Sequence, residues 1–283
     1  MRSISIRKHI CLLLFLVFGI FADGYSQRID TLVKKLDVLV GATVGFLAGK
    51  EIVNNYHRFM NLRQPKNGTI NRSSRQLITI VFVFLFLVMI AMFWVIADEI
   101  VMEHENAFDT FFFNKLQQIS SPGTQRIMLF FTFFGSTLFL LPCYIILVVF
   151  YLFRRKFWMA ILVVAIGLSS TLGLFFLKNL FHRPRPLHEL IMNVQGFSFP
   201  SGHSFSAFTF FGLITYIIWG MHIKILWQSL SSILLFMLCC MVGLSRIYLH
   251  VHYASDVVAG FCLSVIWLTI FLWIFRKIQS NWT

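Results

Sequence analysis

Six charge-free apolar runs, each near the length of a bilayer crossing, occupy residues 77–97, 127–153, 157–177, 205–221, 225–245 and 257–275 of this 283-residue chain. A transmembrane helix needs about 20 largely apolar residues at 1.5 Å per residue, so each run reads as one span. The second and third are separated only by Arg154, Arg155 and Lys156 and form a helical hairpin. The second run is long enough to tolerate a kink at Pro142. Composition supports the same conclusion: 58% of residues are hydrophobic and 12% charged, about half the charged share of a soluble domain. An ordinary water-soluble globule is excluded, and 34 Phe against 6 Pro exclude disordered and collagen-like chains as well.

The loops set the orientation. Arg58, Arg63, Lys66, Arg72 and Arg75 precede the first run without an intervening acid, and the loops of the same parity carry Arg154, Arg155, Lys156, Lys224, Arg276 and Lys277. By the positive-inside bias that side is cytoplasmic. The net charge of +13 is therefore read as cationic loops facing an anionic leaflet rather than as a nucleic-acid surface. The opposite side carries Asp98, Glu99, Glu103, Glu105 and Asp109 and faces outward. Residues 108–119, with Phe111, Phe112 and Phe113 beside Asn114 and Lys115, suit a helix lying at that outer interface. The five cysteines all sit inside apolar runs without a C-x-x-C pair, which argues against a disulfide framework.

At the start, Arg2, Arg7 and Lys8 precede an apolar stretch at 10–22, and Gly24, Tyr25 and Ser26 follow it. Residues 1–26 read as a signal peptide or an uncleaved anchor. Residues 27–76 form an N-terminal extension in which 36–53 is a weak hydrophobic segment, either a seventh span or an interfacial helix.

Ionisable groups at the ends of apolar spans are functional candidates by default. Three clusters stand out: Lys178 to Pro186, Pro200 to His203, and Ser245 to Asp256. Counted from the basic loop before residue 77, all three fall on the outer face. Lys178, Arg185 and Arg246 offer cationic donors suited to phosphate oxygens. Ser201 and Gly202 precede a helix whose first amides lack partners, and glycine lets the backbone approach an anion. The set reads as a phosphate cradle. His203 and His252 supply two imidazoles able to act as nucleophile and general acid, although residue types alone do not choose between them. Asp256 follows His252 by four residues, which places both on one face if the last helix has begun by then, and its carboxylate fits a role in fixing the His252 tautomer. His182, Arg183 and Tyr248 are candidate substrate contacts. After Asp109 only Glu189 and Asp256 remain as acids, too few for an oxygen-ligated Mg²⁺ or Ca²⁺ site, and the three cations would repel zinc. Phosphoryl transfer without metal or cofactor is expected.

The pattern Lys178-x6-Arg185-Pro186, Pro200-Ser201-Gly202-His203, Ser245-Arg246-x5-His252-x3-Asp256 resembles the three-part signature of the type 2 phosphatidic acid phosphatase family. Thirteen residues separate Pro186 from Pro200, and 41 separate His203 from Ser245, and both gaps fit that family. The resemblance covers about 77–277 and implies an all-α polytopic membrane protein with a six-helix phosphatase domain. It implies that His252 attacks phosphorus to give a phosphohistidine, that His203 protonates the leaving oxygen and that Asp256 orients His252. Lys178, Arg185, Arg246 and the amides near Ser201 and Gly202 would hold the phosphoryl oxygens. One departure is Ala254, where the family often has Pro. The expected substrate is a lipid phosphate or diphosphate at the outer leaflet of a bacterial inner membrane: undecaprenyl diphosphate first, then phosphatidic acid, phosphatidylglycerophosphate and the phosphates of lipid A. The rival reading is a non-catalytic lipid-binding or transport protein of the same fold; a transporter should carry charge near mid-membrane, and all six span interiors are clean.

Overall fold

The computed structural model describes residues 72–102, 107–186, 190 and 195–282, with side chains over 83–99, 107–186, 190 and 195–279. The expected signal or anchor at 1–26 and the weak segment at 36–53 lie outside the described residues. All regular structure among those described is helical: α1 (Arg72–Met102), α2 (Ala107–Gln117), α3 (Pro122–Phe133), α4 (Thr137–Phe153), α5 (Phe157–Phe181), α6 (Gly202–Trp219), α7 (Ile225–Tyr248) and α8 (Ala254–Trp282).

Among the described residues, four stretches are long and apolar enough to cross a bilayer: 122–153, Phe157–Phe181, Ile225–Tyr248 and 254–279. Their outward faces are apolar. Leu138, Phe153, Leu172 and Phe175 are each 69–84% exposed, an arrangement stable only against lipid tails. The helix α6 is different. It carries Gly202, His203, Ser204, Ser206, Thr209 and Thr215, and ten of its 18 residues are buried. It packs chiefly against α7 and α8, with α5 and α4 behind. Within these protein surroundings its hydroxyls and carbonyls pair locally and with α8: Thr215 Oγ1 donates back to Phe211 O of the same helix (2.9 Å), and Ser264 Oγ of α8 donates across to Phe205 O (2.9 Å).

Two apolar clusters hold this centre. Leu162, Val163 and Ile166 of α5 meet Leu213 of α6 and Leu268 and Leu272 of α8. Phe208, Phe210 and Phe211 of α6 meet Leu140 of α4 and Cys239 and Val242 of α7. A third cluster, at the end of the bundle that holds the site, joins Leu116 of α2 and Met128 of α3 to Ile247, Leu249, Val251 and Val257.

The second predicted span is interrupted, and the interruption lies away from Pro142, where a kink could be tolerated. Pro142 lies inside α4, whereas the chain breaks at 134–136 between α3 and α4. Tight bonds carry it across the break: Gly135 N to Thr132 O (3.1 Å) and Ser136 N to Phe133 O (3.0 Å). Ser136 then caps α4, its hydroxyl accepting from Phe139 N (3.3 Å) and donating to Phe133 O (2.7 Å). Packing accounts for the position. A Cβ on Gly135 would stand 2.6 Å from Val242 Cγ1 and 3.1 Å from both Cβ and the carbonyl oxygen of His203, so only glycine lets this segment close against α6 and α7. The helix expected at 108–119 is α2, Ala107–Gln117, with Asp109 and Leu116 buried and Phe111 outward.

Gly135→Ala should therefore lower stability by about 1–3 kcal/mol, the usual range for overpacking a filled interior. Thermal unfolding of the detergent-purified protein measures it, and an unchanged melting temperature would show that Val242 and α6 can yield.

Candidate active site

Four helix ends meet at one end of the bundle: the C-termini of α5 and α7 and the N-termini of α6 and α8. The last turns of α5 and α7 carry Lys178 and Arg246, and the first turn of α8 carries Asp256. Each charge opposes the partial charge of its own helix end.

The helix α5 stops at His182, which is left-handed (φ 51°), and Pro184 and Pro186 prevent its resumption. The chain returns through Ser198 and Phe199, both fully buried, to Ser201, the N-cap of α6. Ser201 N donates to Asp256 O (3.1 Å), which ties the start of α6 to the start of α8. The first amides of α6 have no intrahelical acceptors, so they are available to an anion. A Cβ on Gly202 would fall 3.2 Å from Leu174 Cδ2 and 3.8 Å from Lys178 Cε. Lys178 thus lies beside the start of α6.

The loop between α7 and α8 turns at His250 (φ 55°), and the amides of Val251 and His252 both donate to Arg246 O (3.2 and 3.3 Å). His252 is 2% exposed. Its Nδ1 lies 3.4 Å from Asp256 Oδ2 and 3.2 Å from Ser198 Oγ. The expected pairing of His252 with Asp256 is present but arises differently from the helical-face argument. The helix α8 begins at Ala254, after His252. Asp256 is its third residue and reaches back to Tyr253 N (3.0 Å), the reverse half of a capping box. That reach brings the carboxylate to the imidazole. Ala254 in place of the family's Pro leaves the helix start intact.

The charges of Arg246, His252, Lys178 and Arg185 all act on His203, so the two imidazoles and three cations share one locality. Lys178 Nζ donates to Phe197 O. Arg185 donates from Nε to Gly196 O (2.9 Å), from Nη2 to Gln195 O (3.2 Å) and from Nη1 to Val251 O (2.7 Å). Arg246, 4% exposed, donates from Nη1 to Thr132 Oγ1 of α3 (2.6 Å). Burial pushes the His252 imidazole down to about 3, with Arg246 and Lys178 adding to the effect and Asp256 opposing it. His252 is a free base at neutral pH.

The candidate substrate contacts are placed differently. Arg183 is buried and turned inward: Nη1 donates to Asp256 Oδ1 (2.6 Å) and Ser255 Oγ (2.8 Å), Nη2 donates to Asp109 Oδ2 (2.8 Å), and the guanidinium lies 3.9 Å over the Tyr253 ring. Tyr248 is also buried, its hydroxyl accepting from Ser121 N (3.2 Å) in the loop between α2 and α3. Protein groups hold both candidates: the Arg183 guanidinium lies between two buried carboxylates, and the Tyr248 hydroxyl faces the loop between α2 and α3. His182 is exposed, edge-on to Phe197 at 4.4 Å.

Sequence reasoning missed Asp109, Thr132, Ser198 and Ser255. The signal for Asp109 was available. It shares the inward face of α2 with Phe112, Phe113 and Leu116, and an acid on an apolar stripe requires a partner.

Because His252 binds a proton less readily folded than unfolded, the unfolded chain takes up more protons between pH 6.5 and about 3, and stability falls as pH drops through that window. From pH 7 to pH 5 the loss is on the order of 2 kcal/mol for this one group. Melting temperatures at the two pH values, compared between the native chain and His252→Asn, check it: the variant should show a smaller decline, and an equal decline would place the acid sensitivity elsewhere.

Comparison with known proteins follows the same geometry. The PAP2 superfamily profile matches residues 157–280. Phosphatidylglycerophosphatase B of Bacillus subtilis (strain 168) is 32% identical over 150 residues, 52% of this chain and 73% of that protein. The crystal structure of the transmembrane PAP2-type phosphatidylglycerolphosphate phosphatase from Bacillus subtilis superimposes with a TM-score of 0.60 at 27% identity, covering 68% of this chain and 96% of that one. Aquifex aeolicus LpxE gives a TM-score of 0.46 at 28% identity, over 60% of this chain and 97% of that one. The family profile, the likeness to phosphatidylglycerophosphatase B, the superposition on the Bacillus subtilis phosphatase and the long apolar helices agree: the chain is an integral membrane protein belonging to the PAP2 superfamily.

Proposed function

We propose that this protein removes a phosphate group from a membrane lipid through a phosphohistidine formed on His252, at a site facing the outer leaflet. Hydrolysis of a lipid phosphate ester follows from family membership and from the likeness to phosphatidylglycerophosphatase B. The observation that carries the mechanism is the orientation of His252. Its Nδ1 faces the Asp256 carboxylate, which selects the tautomer protonated there and leaves the lone pair on Nε2.

In the proposed first step Nε2 of His252 forms a bond to phosphorus while the bond from phosphorus to the lipid oxygen breaks, and His203 gives its proton to the departing oxygen. Asp256 stabilises the cationic phosphoimidazole. In the second step water attacks phosphorus, His203 takes a proton from it, and the phosphorus–nitrogen bond breaks to return free His252. The cations Lys178, Arg185 and Arg246 and the amides at the start of α6 hold the non-bridging oxygens, whose negative charge grows as the transition state forms. No step calls for a metal ion.

Six spans complete the proposal: α1, α3 with α4, α5, α6, α7 and α8, with α2 on the outer surface and the basic loops inside. In a bacterial inner membrane this points the site toward the periplasm or cell exterior. A site built between helix ends lets the acyl or prenyl chain stay in the bilayer while the headgroup meets the cations. The likeness to phosphatidylglycerophosphatase B supports phosphatidylglycerophosphate as a substrate, beside undecaprenyl diphosphate, phosphatidic acid and lipid A phosphates.

Phosphate release from a panel of these four lipids by detergent-purified protein, with EDTA present, tests the reading. Turnover should persist in chelator, and His203→Ala and His252→Ala should each lower kcat by about 10²–10⁴-fold or more. Turnover that survives His252→Ala would remove the nucleophile, and strict metal dependence would overturn the mechanism.

A further inference from the structure

The carboxylate beside His252 is itself held by a buried chain of charges that reaches a helix outside the segment matched by the family profile. Asp109 of α2, Arg183 and Asp256 are 0%, 2% and 0% exposed. Arg183 bridges the two acids, at 2.8 Å to Asp109 Oδ2 and 2.6 Å to Asp256 Oδ1. Asp109 also accepts from Ser255 N and Ser255 Oγ, both at 2.8 Å. Ser255 is the second residue of α8, and its amide is one of the donors a helix start leaves unpaired. One acid therefore caps the helix that carries Asp256 and also shares the cation that Asp256 binds.

We propose that Asp109 is a positioning residue for the nucleophile, acting on His252 through Arg183, Ser255 and Asp256. The proposal rests on the reading that His252 attacks phosphorus. Its physical content is a division of charge. While Asp109 neutralises part of the Arg183 guanidinium, Asp256 keeps its negative charge for the imidazole. Remove the Asp109 charge, and Arg183 draws the Asp256 carboxylate more strongly and opposes the positive charge that develops on His252. Remove the Arg183 charge, and the His252 cation gains stability. The two changes move the basicity of His252 in opposite directions, which a scaffold contact would not do.

The experiment measures kcat between pH 4 and 9 for the full chain in detergent, with dioctanoyl phosphatidic acid; the acid limb of kcat belongs to the complex with the lipid, whose phosphate anion beside His252 raises its basicity above that of the free site. Asp109→Asn, which keeps shape and loses charge, should lower kcat about 10- to 100-fold with KM within about twofold. Its acid limb should move to lower pH. Asp109→Glu should regain most of the rate, and Arg183→Gln should move the acid limb to higher pH. A wild-type rate and profile in Asp109→Asn would overturn the proposal, and so would a loss of rate with an unmoved profile, which marks a residue needed only for folding. Should Arg183→Gln fail to fold, the Asn and Glu variants at position 109 decide alone. A dead His252→Ala beside an unaffected Asp109→Asn sinks only this proposal, whereas an active His252→Ala sinks the nucleophile itself.

Discussion

The site depends on one buried carboxylate. Asp256 receives Tyr253 N, Ser198 Oγ and the His252 imidazole on one oxygen and Arg183 on the other, while its main-chain carbonyl holds Ser201 N at the start of α6. An ionised acid removed from water is tolerated only when its acceptor capacity is filled. Filling it draws together the loop after α5, the turn before α8 and the first residue of α6. The geometry around the phosphate cradle follows from satisfying that charge.

The bundle explains how such a polar centre persists in lipid. Helices facing the bilayer are apolar outward, whereas α6, with its hydroxyls and its histidine, is enclosed by its neighbours. The N-termini of α6 and α8 both point their partial positive charge at the site, and Lys178 and Arg246 offset the opposite ends of α5 and α7. The result is a locality biased toward anions before any ligand arrives, and a bias built from fixed dipoles needs no reorganisation when charge develops.

Much of this was legible in the residues. Charge-free runs marked the four stretches that are long and apolar enough to cross a bilayer among the described residues, and the parity of the loops grouped the three motifs that the structure brings to one end. The contact between His252 and Asp256 was read from their spacing, but for a helical reason; the actual cause is a cap, visible only once the helix start is known. Pro142 was a place where the run could tolerate a kink, yet the break lies at Gly135, where the approach of α6 and α7 decides, and no local pattern reports that approach. Arg183 looked like a headgroup contact because it stands among other cations. Its true partners are 73 and 74 residues away in sequence, and pairings of that range leave no local trace.

Two cations of the proposed phosphate cradle rest on main-chain oxygens: Lys178 on Phe197, and Arg185 on Gln195, Gly196 and Val251. Capture of a phosphate by these side chains is therefore a swap of one set of oxygens for another, and its affinity is the difference between the two. Such a site holds its anion less tightly than bare charge would suggest. For a catalyst that must discharge inorganic phosphate after every cycle, carbonyls standing ready to reclaim the cations favour turnover over retention.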